Sequence, residues 1–243
     1  MQREEQERWN AVLSRHWWGR GHYAVVKELI ADSIRRIGKD DLRCLDIGCS
    51  GGLMIGFLKQ FGKAYGFDIS YDGLLYGADL GVVVQADAAR IPFKEDAFDL
   101  VTILDVAEHA DDDNILFEEA GRVARKDAVI FINVPAFPIF WRSHDVKYGH
   151  KRRYVRADIE RLARKYFFKV EQIRYLHAHF VAPIFLSMLL DRFRGDRFGK
   201  RDDFISAGPI GDELLLKTLL LERRLRKYIS VPCGISLFCV LRK

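Results

Sequence analysis

The sequence predicts an α/β fold, a doubly wound, mostly parallel seven-stranded sheet with a helical insertion before the last strand. Three observations predict it. Short apolar runs alternate with amphipathic stretches of helical period. The first run stops in the glycine-rich segment Gly48-Cys49-Ser50-Gly51-Gly52. The last two strand-like runs, 169–176 and 235–241, stand 58 residues apart, too far for a hairpin turn. Parallel neighbours need crossover connections, so the alternation calls for helices on both faces of the sheet.

Each element has its own signal. Residues 22–37 carry Val25, Val26, Leu29, Ile30, Ile34 and Ile37 at helical spacing. The pattern then changes period to give a strand at 42–47, a helix at 52–61 and a second strand at 64–67, a βαβ unit. Strands follow at 81–85, 98–104 and 128–134, with a helix at 114–123 before the last of these. A helix at 156–166 precedes the strand at 169–176. The insertion holds one helix after Pro183 and another over 212–228, where six leucines give way to Arg223, Arg224, Arg226 and Lys227. We read residues 1–243 as one domain, with N-terminal helices in 1–38 and the insertion in 177–234, a cap over the core or a membrane-surface patch.

The 243 residues, 49% hydrophobic and 30% charged, exclude a disordered or collagen-like chain and leave no room for two ordinary domains. The four cysteines form no CxxC pair, so neither a zinc ribbon nor a disulfide scaffold is suggested. The charged start MQREEQERWN is unlike a signal peptide, and no apolar run reaches membrane-spanning length, which predicts a cytoplasmic protein. The net charge of +5 is uneven: residues 142–165 hold nine Lys/Arg against three acids. That stretch suits an anionic partner, or is a solvated helix face.

The chemistry sits at strand ends. Asp46 closes the first strand, where an acid can accept hydrogen bonds from a ligand's ammonium group, and the glycines after it let backbone approach a ligand closely. A dinucleotide fingerprint would place glycines at 48, 50 and 53, but Ser50 and Leu53 stand there, so NAD fits badly. Asp68 ends the second strand, placed for a ribose diol, and Asp87 ends the third, placed for an adenine amine. Three acids at three successive strand ends line one crevice, a far more specific signal than the glycines alone.

With these residues the sequence resembles the class I methyltransferases that use S-adenosylmethionine, the type 11 group in particular. The matching segments are LDIGCSGG at 45–52, GFDIS at 66–70, QADAARIPFKEDAFDLV at 85–101 and LDVAEH at 104–109. The resemblance spans about residues 40–135 and implies a Rossmann-like sheet with S-adenosylmethionine as cofactor. It assigns the cofactor's amino-acid part to Asp46, Gly48 and Gly52, the ribose to Asp68, and the adenine to Asp87 with Ala88. The same segments add Cys49, Ile69, Leu104 and Asp105 to the cofactor set. Ser50 departs from the commoner glycine. The flanks His16-Trp17-Trp18, Gly149-His150-Lys151-Arg152-Arg153-Tyr154 and Gly234-Ile235-Ser236-Leu237 resemble a bacterial and archaeal subgroup associated with glycan and envelope biosynthesis. Arg20-Gly21-His22 stands where that subgroup tends to have Arg-x-Arg.

Methyl transfer from a sulfonium is an in-line displacement in which positioning does most of the work. A base matters when the acceptor is a hydroxyl or a protonated amine. The sequence offers His109, His150 and Tyr154 as catalytic candidates, His109 first. It offers Trp141, His144, Arg152 and Arg153 for an acceptor that carries an anionic group. Asp105, Glu108 and His109 have ligand types at helical spacing, but we read Glu108 and His109 as capping the next helix and contacting the cofactor, with no metal. The expected reaction is methylation, at oxygen, of a small-molecule, glycan or lipid-linked acceptor, with peripheral membrane contact through 177–234. RNA methylation is disfavoured because the basic residues form one compact stretch. A catalytically silent cofactor-binding subunit is the reading of another class, and the loop 137–154 discriminates: its histidines and aromatics line a pocket facing the cofactor's sulfur in an enzyme and are buried away from it in a platform.

Overall fold

The computed structural model describes residues 16–193, 207–225 and 228–243, with the side chains of residues 191 and 192 left aside. The expected N-terminal segment before residue 16 and the middle of the insertion lie outside the described residues. The chain opens with helix α1 (Trp17–Ile37), then β1 (Leu42–Ile47), α2 (Leu53–Leu58), β2 (Gly62–Asp68), α3 (Tyr71–Gly77), β3 (Val82–Gln85) and β4 (Phe98–Leu104). It continues with α4 (Asp113–Val123), β5 (Ala124–Pro135), α5 (Ser143–Lys147), α6 (Arg156–Lys165), β6 (Lys169–Leu176), α7 (Val181–Phe193), α8 (Gly208–Leu225) and β7 (Ser236–Arg242).

The seven strands lie in the order β3-β2-β1-β4-β5-β7-β6. All are parallel except β7, which runs antiparallel between β5 and β6. The strand order turns at β1, whose neighbours are β2 and β4. Connections leaving β1 and β4 therefore part to opposite sides and open a crevice at their carboxyl ends. Register fixes what faces that crevice: Asp46 pairs with Thr102 of β4, and Asp68 pairs with Gln85 of β3.

Both sheet faces are covered, which is why β1, β4 and β5 read as near-continuous apolar runs. On one face Leu116 and Phe117 of α4 and Ile159 and Leu162 of α6 pack on the sheet. On the other, Val25 and Leu29 of α1 join Ile55 and Leu58 of α2. The second helix of the insertion, α8, lies against α1, with Trp17 buried beside Leu216 and Leu219. Gly21 makes this approach possible: a Cβ there would stand 2.3 Å from Leu219 Cδ1.

The structure adjusts the predicted boundaries for local reasons. Helix α1 starts five residues before the expected 22, because His16 Nδ1 accepts the Trp18 N–H at 3.3 Å and caps it there. The expected helix over 52–61 tightens into a 3₁₀ turn at Lys59–Phe61. Helices α3 and α5 have no counterpart in the sequence reading: at seven and five residues they are too short for an apolar period to register. The cap of α4 is Asp112, which accepts the Asn114 N–H at 2.8 Å, and not Glu108 or His109.

Candidate active site

A cavity of about 1480 Å³ opens at the carboxyl ends of β1, β2 and β4, closed above by α1, α7 and α8. Its first wall is the turn after β1. Gly48 has φ 71° and passes so close to Val106 that a Cβ would lie 2.4 Å from Cγ2, so only glycine fits without strain. Gly52, expected to touch ligand, is not on the wall. It starts α2 at φ 77° with its Cα against Gly77, and shapes the turn from behind.

Asp46, Asp68 and Asp87 all line the cavity. Asp46 is buried and accepts the Thr102 hydroxyl at 2.7 Å. Burial, with added repulsion from Asp68, pushes its carboxyl up to about 7 against the pull of Thr102. Asp68 accepts the backbone N–H of Ser50 at 2.9 Å and of Ser70 at 2.8 Å, one on each oxygen, which clamps the turn after β1 to the end of β2. Asp87 is exposed and accepts the Ala89 N–H at 2.8 Å. Ala88, Ile69, Leu104 and Cys49 lie on the same walls, and burial pushes the Cys49 thiol far up, so it is inert as a nucleophile.

The opposite wall is built by the segments after β4 and β5. Asp105, at φ 56°, accepts the Asn133 amide at 2.6 Å and the Tyr23 hydroxyl at 3.4 Å. Burial works to raise its carboxyl, but His22, Asn133 and His150 outweigh that and hold it below the usual range. His109, His144 and His150 reach the cavity, with the His109 and His150 rings 4.8 Å apart. Burial lowers His109, helped by His150, and lowers His144 to about 4. Glu108 is 1% exposed with Oε2 unpartnered, and burial followed by the Asp105 charge pushes its carboxyl well up. Glu108, His109 and His150 each offer one ligand atom within 4.8 Å of one another, so a cation would find its donors here.

One expected catalytic residue, Tyr154, and two expected acceptor residues, Arg152 and Trp141, are placed elsewhere. Tyr154 is buried off the cavity, its hydroxyl 3.0 Å from the Ala107 carbonyl and 3.1 Å from Asp113 Oδ2, and burial pushes the phenol far up. It ties β5's exit to the segment after β4, and its proton is held by those partners away from any ligand. Arg152 donates to the carbonyls of Ala110 and Asp111 and pairs with Asp113 at 3.3 Å, so its charge is spent on the loop. Trp141 lies outside the lining. Arg153 does reach the cavity, but its guanidinium grips both oxygens of Asp145, at 2.8 and 2.9 Å. Asp145 also meets His150 Nδ1 at 2.8 Å. Burial opposes the Asp145 charge, yet His150 and Arg153 hold its carboxyl down to about 2. The basic stretch is thus largely an internal lattice, with Lys151 on Asp111, Arg156 on Glu160 and Arg161 on Asp158 as further pairs.

Sequence reasoning missed the residues that long-range packing delivers. His22 and Tyr23 of α1, and Phe180, Pro183 and Leu215 of the insertion, all line the cavity. The one signal for His22 was its place in Arg20-Gly21-His22, where the resembling subgroup tends to have Arg-x-Arg.

Comparison with known proteins agrees with this geometry. Residues 45–132 match the model of a methyltransferase domain of the type 11 group. The chain is 28% identical over 152 residues to the ubiquinone biosynthesis O-methyltransferase of Mesorhizobium japonicum, covering 53% of this chain and 61% of that protein. It is 33% identical over 118 residues to an uncharacterized protein of Methanocaldococcus jannaschii, covering 48% of this chain and 55% of that protein. The chain thus spans under two thirds of the curated relatives it matches. A SAM-dependent methyltransferase structure from Thermotoga maritima superposes with a TM-score of 0.60 at 17% identity, over 99% of this chain and 95% of that one. Another from Archaeoglobus fulgidus gives 0.56 at 18% identity, over 89% and 94%. These likenesses establish the sheet and its crossovers as those of that fold.

Proposed function

We propose that this chain, a class I methyltransferase of the type 11 group by its matched domain and its fold, moves a methyl group from S-adenosylmethionine to an oxygen of a small-molecule, glycan-linked or lipid-linked acceptor. The observation that carries the reading is the placement of Asp46, Asp68 and Asp87 on one cavity wall at three strand ends. Their chemistry fits the group: a buried carboxyl for an ammonium, a clamped carboxylate for a ribose diol, and an exposed acid beside Ala88 for an adenine amine. When bound, the cofactor supplies a methyl already activated on a cationic sulfur.

The protein's part is to orient, and holding donor and acceptor in line contributes on the order of 7–11 kcal/mol. The turn before α7 brings Phe180, and α7 and α8 bring Ile184 and Leu215, to the cavity beside Phe140 and Trp18, which supports an acceptor with an apolar portion. Methylation at oxygen rests on the relative whose name carries that chemistry. His144 and His150 of the loop after β5 lie on the cavity, which favours an enzyme over a silent binding subunit.

The same reading places the insertion on a membrane surface at the cytoplasmic side. Phe185, Leu186, Leu189 and Leu190 on α7 are exposed, and Arg223 and Arg224 sit near the end of α8. Among the described residues no helix is long and apolar enough to cross a membrane. The test is turnover of radiolabelled methyl donor with lipid and aqueous extract fractions assayed separately. Label entering the lipid fraction in an alkali-stable ether supports the reading, and cofactor binding with no labelled product in either fraction contradicts it.

A further inference from the structure

A line of three groups, the partly buried Glu222 and the buried His177 and His22, runs from the insertion to Asp105 on the cavity, and none of the three was assigned to the cofactor above. Glu222 on α8 accepts the His177 backbone N–H at 2.6 Å with Oε1, while its Oε2 stands 3.0 Å from His177 Nδ1. His177 Nε2 lies 2.8 Å from His22 Nδ1. His22 Nε2 then faces Asp105 Oδ2 at 3.6 Å and the Asn133 amide at 3.4 Å. His177 is fully buried and His22 is 2% exposed, although His22 borders the cavity. His177 holds a left-handed backbone, φ 62°, that turns its ring to this position at the end of β6.

The hydrogen-bond partners fix both tautomers. A carboxylate only accepts, so His177 Nδ1 carries the hydrogen that goes to Glu222, and its Nε2 is bare. His22 Nδ1 must then donate to that nitrogen, which leaves His22 Nε2 as a lone pair facing the Asn133 amide donor at 3.4 Å, with Asp105 Oδ2 at 3.6 Å, beyond hydrogen-bond distance. Burial lowers His177 to about 4 against the pull of Glu222, in keeping with a neutral ring. The other carboxylate–histidine pair on the cavity, Asp145 with His150, differs in one respect: Arg153 already neutralises its carboxylate. Among the described residues, Glu222 pairs with imidazoles, His177 and, at 3.5 Å, His179.

We propose that His22 is the proton-accepting group of the acceptor site, with Glu222 and His177 as positioning residues that hold its Nε2 bare and steady the cation it becomes. The inference rests on the methyl-transfer reading. In the step, the acceptor oxygen bonds to the methyl carbon, the carbon–sulfur bond breaks with its electron pair staying on sulfur, and the hydroxyl proton goes to His22 Nε2. The imidazolium then lies between the Asp105 carboxylate and the His177–Glu222 pair. Among the described residues, the charged and titratable groups around His22 are Tyr23 on α1, Asp105 after β4, His177 after β6 and Glu222 on α8. Trp18 stacks on the ring at 5.3 Å and shuts out solvent on that side.

The experiment is ring-¹⁵N NMR of the full chain labelled in histidine, without ligand, with Glu222→Gln and His22→Gln as variants. The wild type is expected to show His22 and His177 both protonated at Nδ1 and bare at Nε2 at pH 7, and Glu222→Gln to lose that pattern at both rings. A hydrogen on His22 Nε2, or unchanged rings in Glu222→Gln, overturns the proposal. With the extract fraction that supports turnover, His22→Gln should lose about 100-fold or more in turnover with cofactor affinity intact, and Glu222→Gln should shift the acid limb of the pH profile. An unshifted profile with full turnover in both variants also overturns it. Calorimetry with S-adenosylmethionine on the wild type separates the two claims: no binding sinks the methyl-transfer reading, whereas binding with the wrong tautomers sinks this inference alone.

Discussion

Asp68 closes the turn after β1 by accepting the Ser50 N–H at 2.9 Å, so the residue expected to hold a ribose also holds the loop expected to hold the rest of the cofactor. The two jobs make Asp68 doubly sensitive. Asp68→Ala removes a charged acceptor and frees the turn, and cofactor affinity should fall by about 10- to 100-fold, the worth of one charge-assisted hydrogen bond. Isothermal calorimetry checks this, and an unchanged dissociation constant refutes the assignment.

Asp46 makes the ligand-free protein sensitive to pH. Its folded carboxyl titrates near 7 against 3.8 for the free group, so the folded state holds the proton more tightly than the unfolded one. Its stabilising contribution is full below the unfolded value and is lost as pH rises through about 7. Urea denaturation should therefore show Asp46→Asn flattening the fall in stability between about pH 4 and pH 7. A cationic ligand beside Asp46 should also expel its proton, so binding heats near pH 6.5 should depend on the buffer's ionisation enthalpy in the wild type and not in Asp46→Asn.

Gly48→Ala meets both a positive φ and a 2.4 Å approach to Val106, whereas Gly149→Ala meets a positive φ of 71° in open space. The first should cost about 1–3 kcal/mol beyond the second, because the strained conformation is common to both and the clash is not. Thermal denaturation of the pair reads the difference directly. Equal melting temperatures would show that the turn has room to shift.

Tyr154→Phe should destabilise the fold by about 1–3 kcal/mol, since Asp113 and the Ala107 carbonyl lose their buried donor. At a temperature where the variant is folded, its turnover and pH profile should match the wild type. A large loss of turnover with unchanged stability would return Tyr154 to the reacting groups.

The fold was legible in the sequence because strand period and strand ends are local facts. The apolar run of β1, its terminal Asp46 and the recurrence of an acid at Asp68 and Asp87 are all written within about 40 residues. The acceptor side was read less well because composition does not reveal pairing. The basic stretch looked like an anion site, yet Arg152 and Arg153 meet Asp113 and Asp145 once the chain folds. His22 and His177 lie 155 positions apart and become partners only when α1 and the end of β6 meet. Nothing local in α8 marks Glu222 as the partner of both His177 and His179.

The most direct measurement is a crystal structure with S-adenosylhomocysteine bound. The ribose hydroxyls should lie on the Asp68 carboxylate, the adenine against Asp87 and Ala88, and the amino group beside Asp46. A nucleoside seated anywhere else, or those three carboxylates turned away from it, would refute the cofactor assignment.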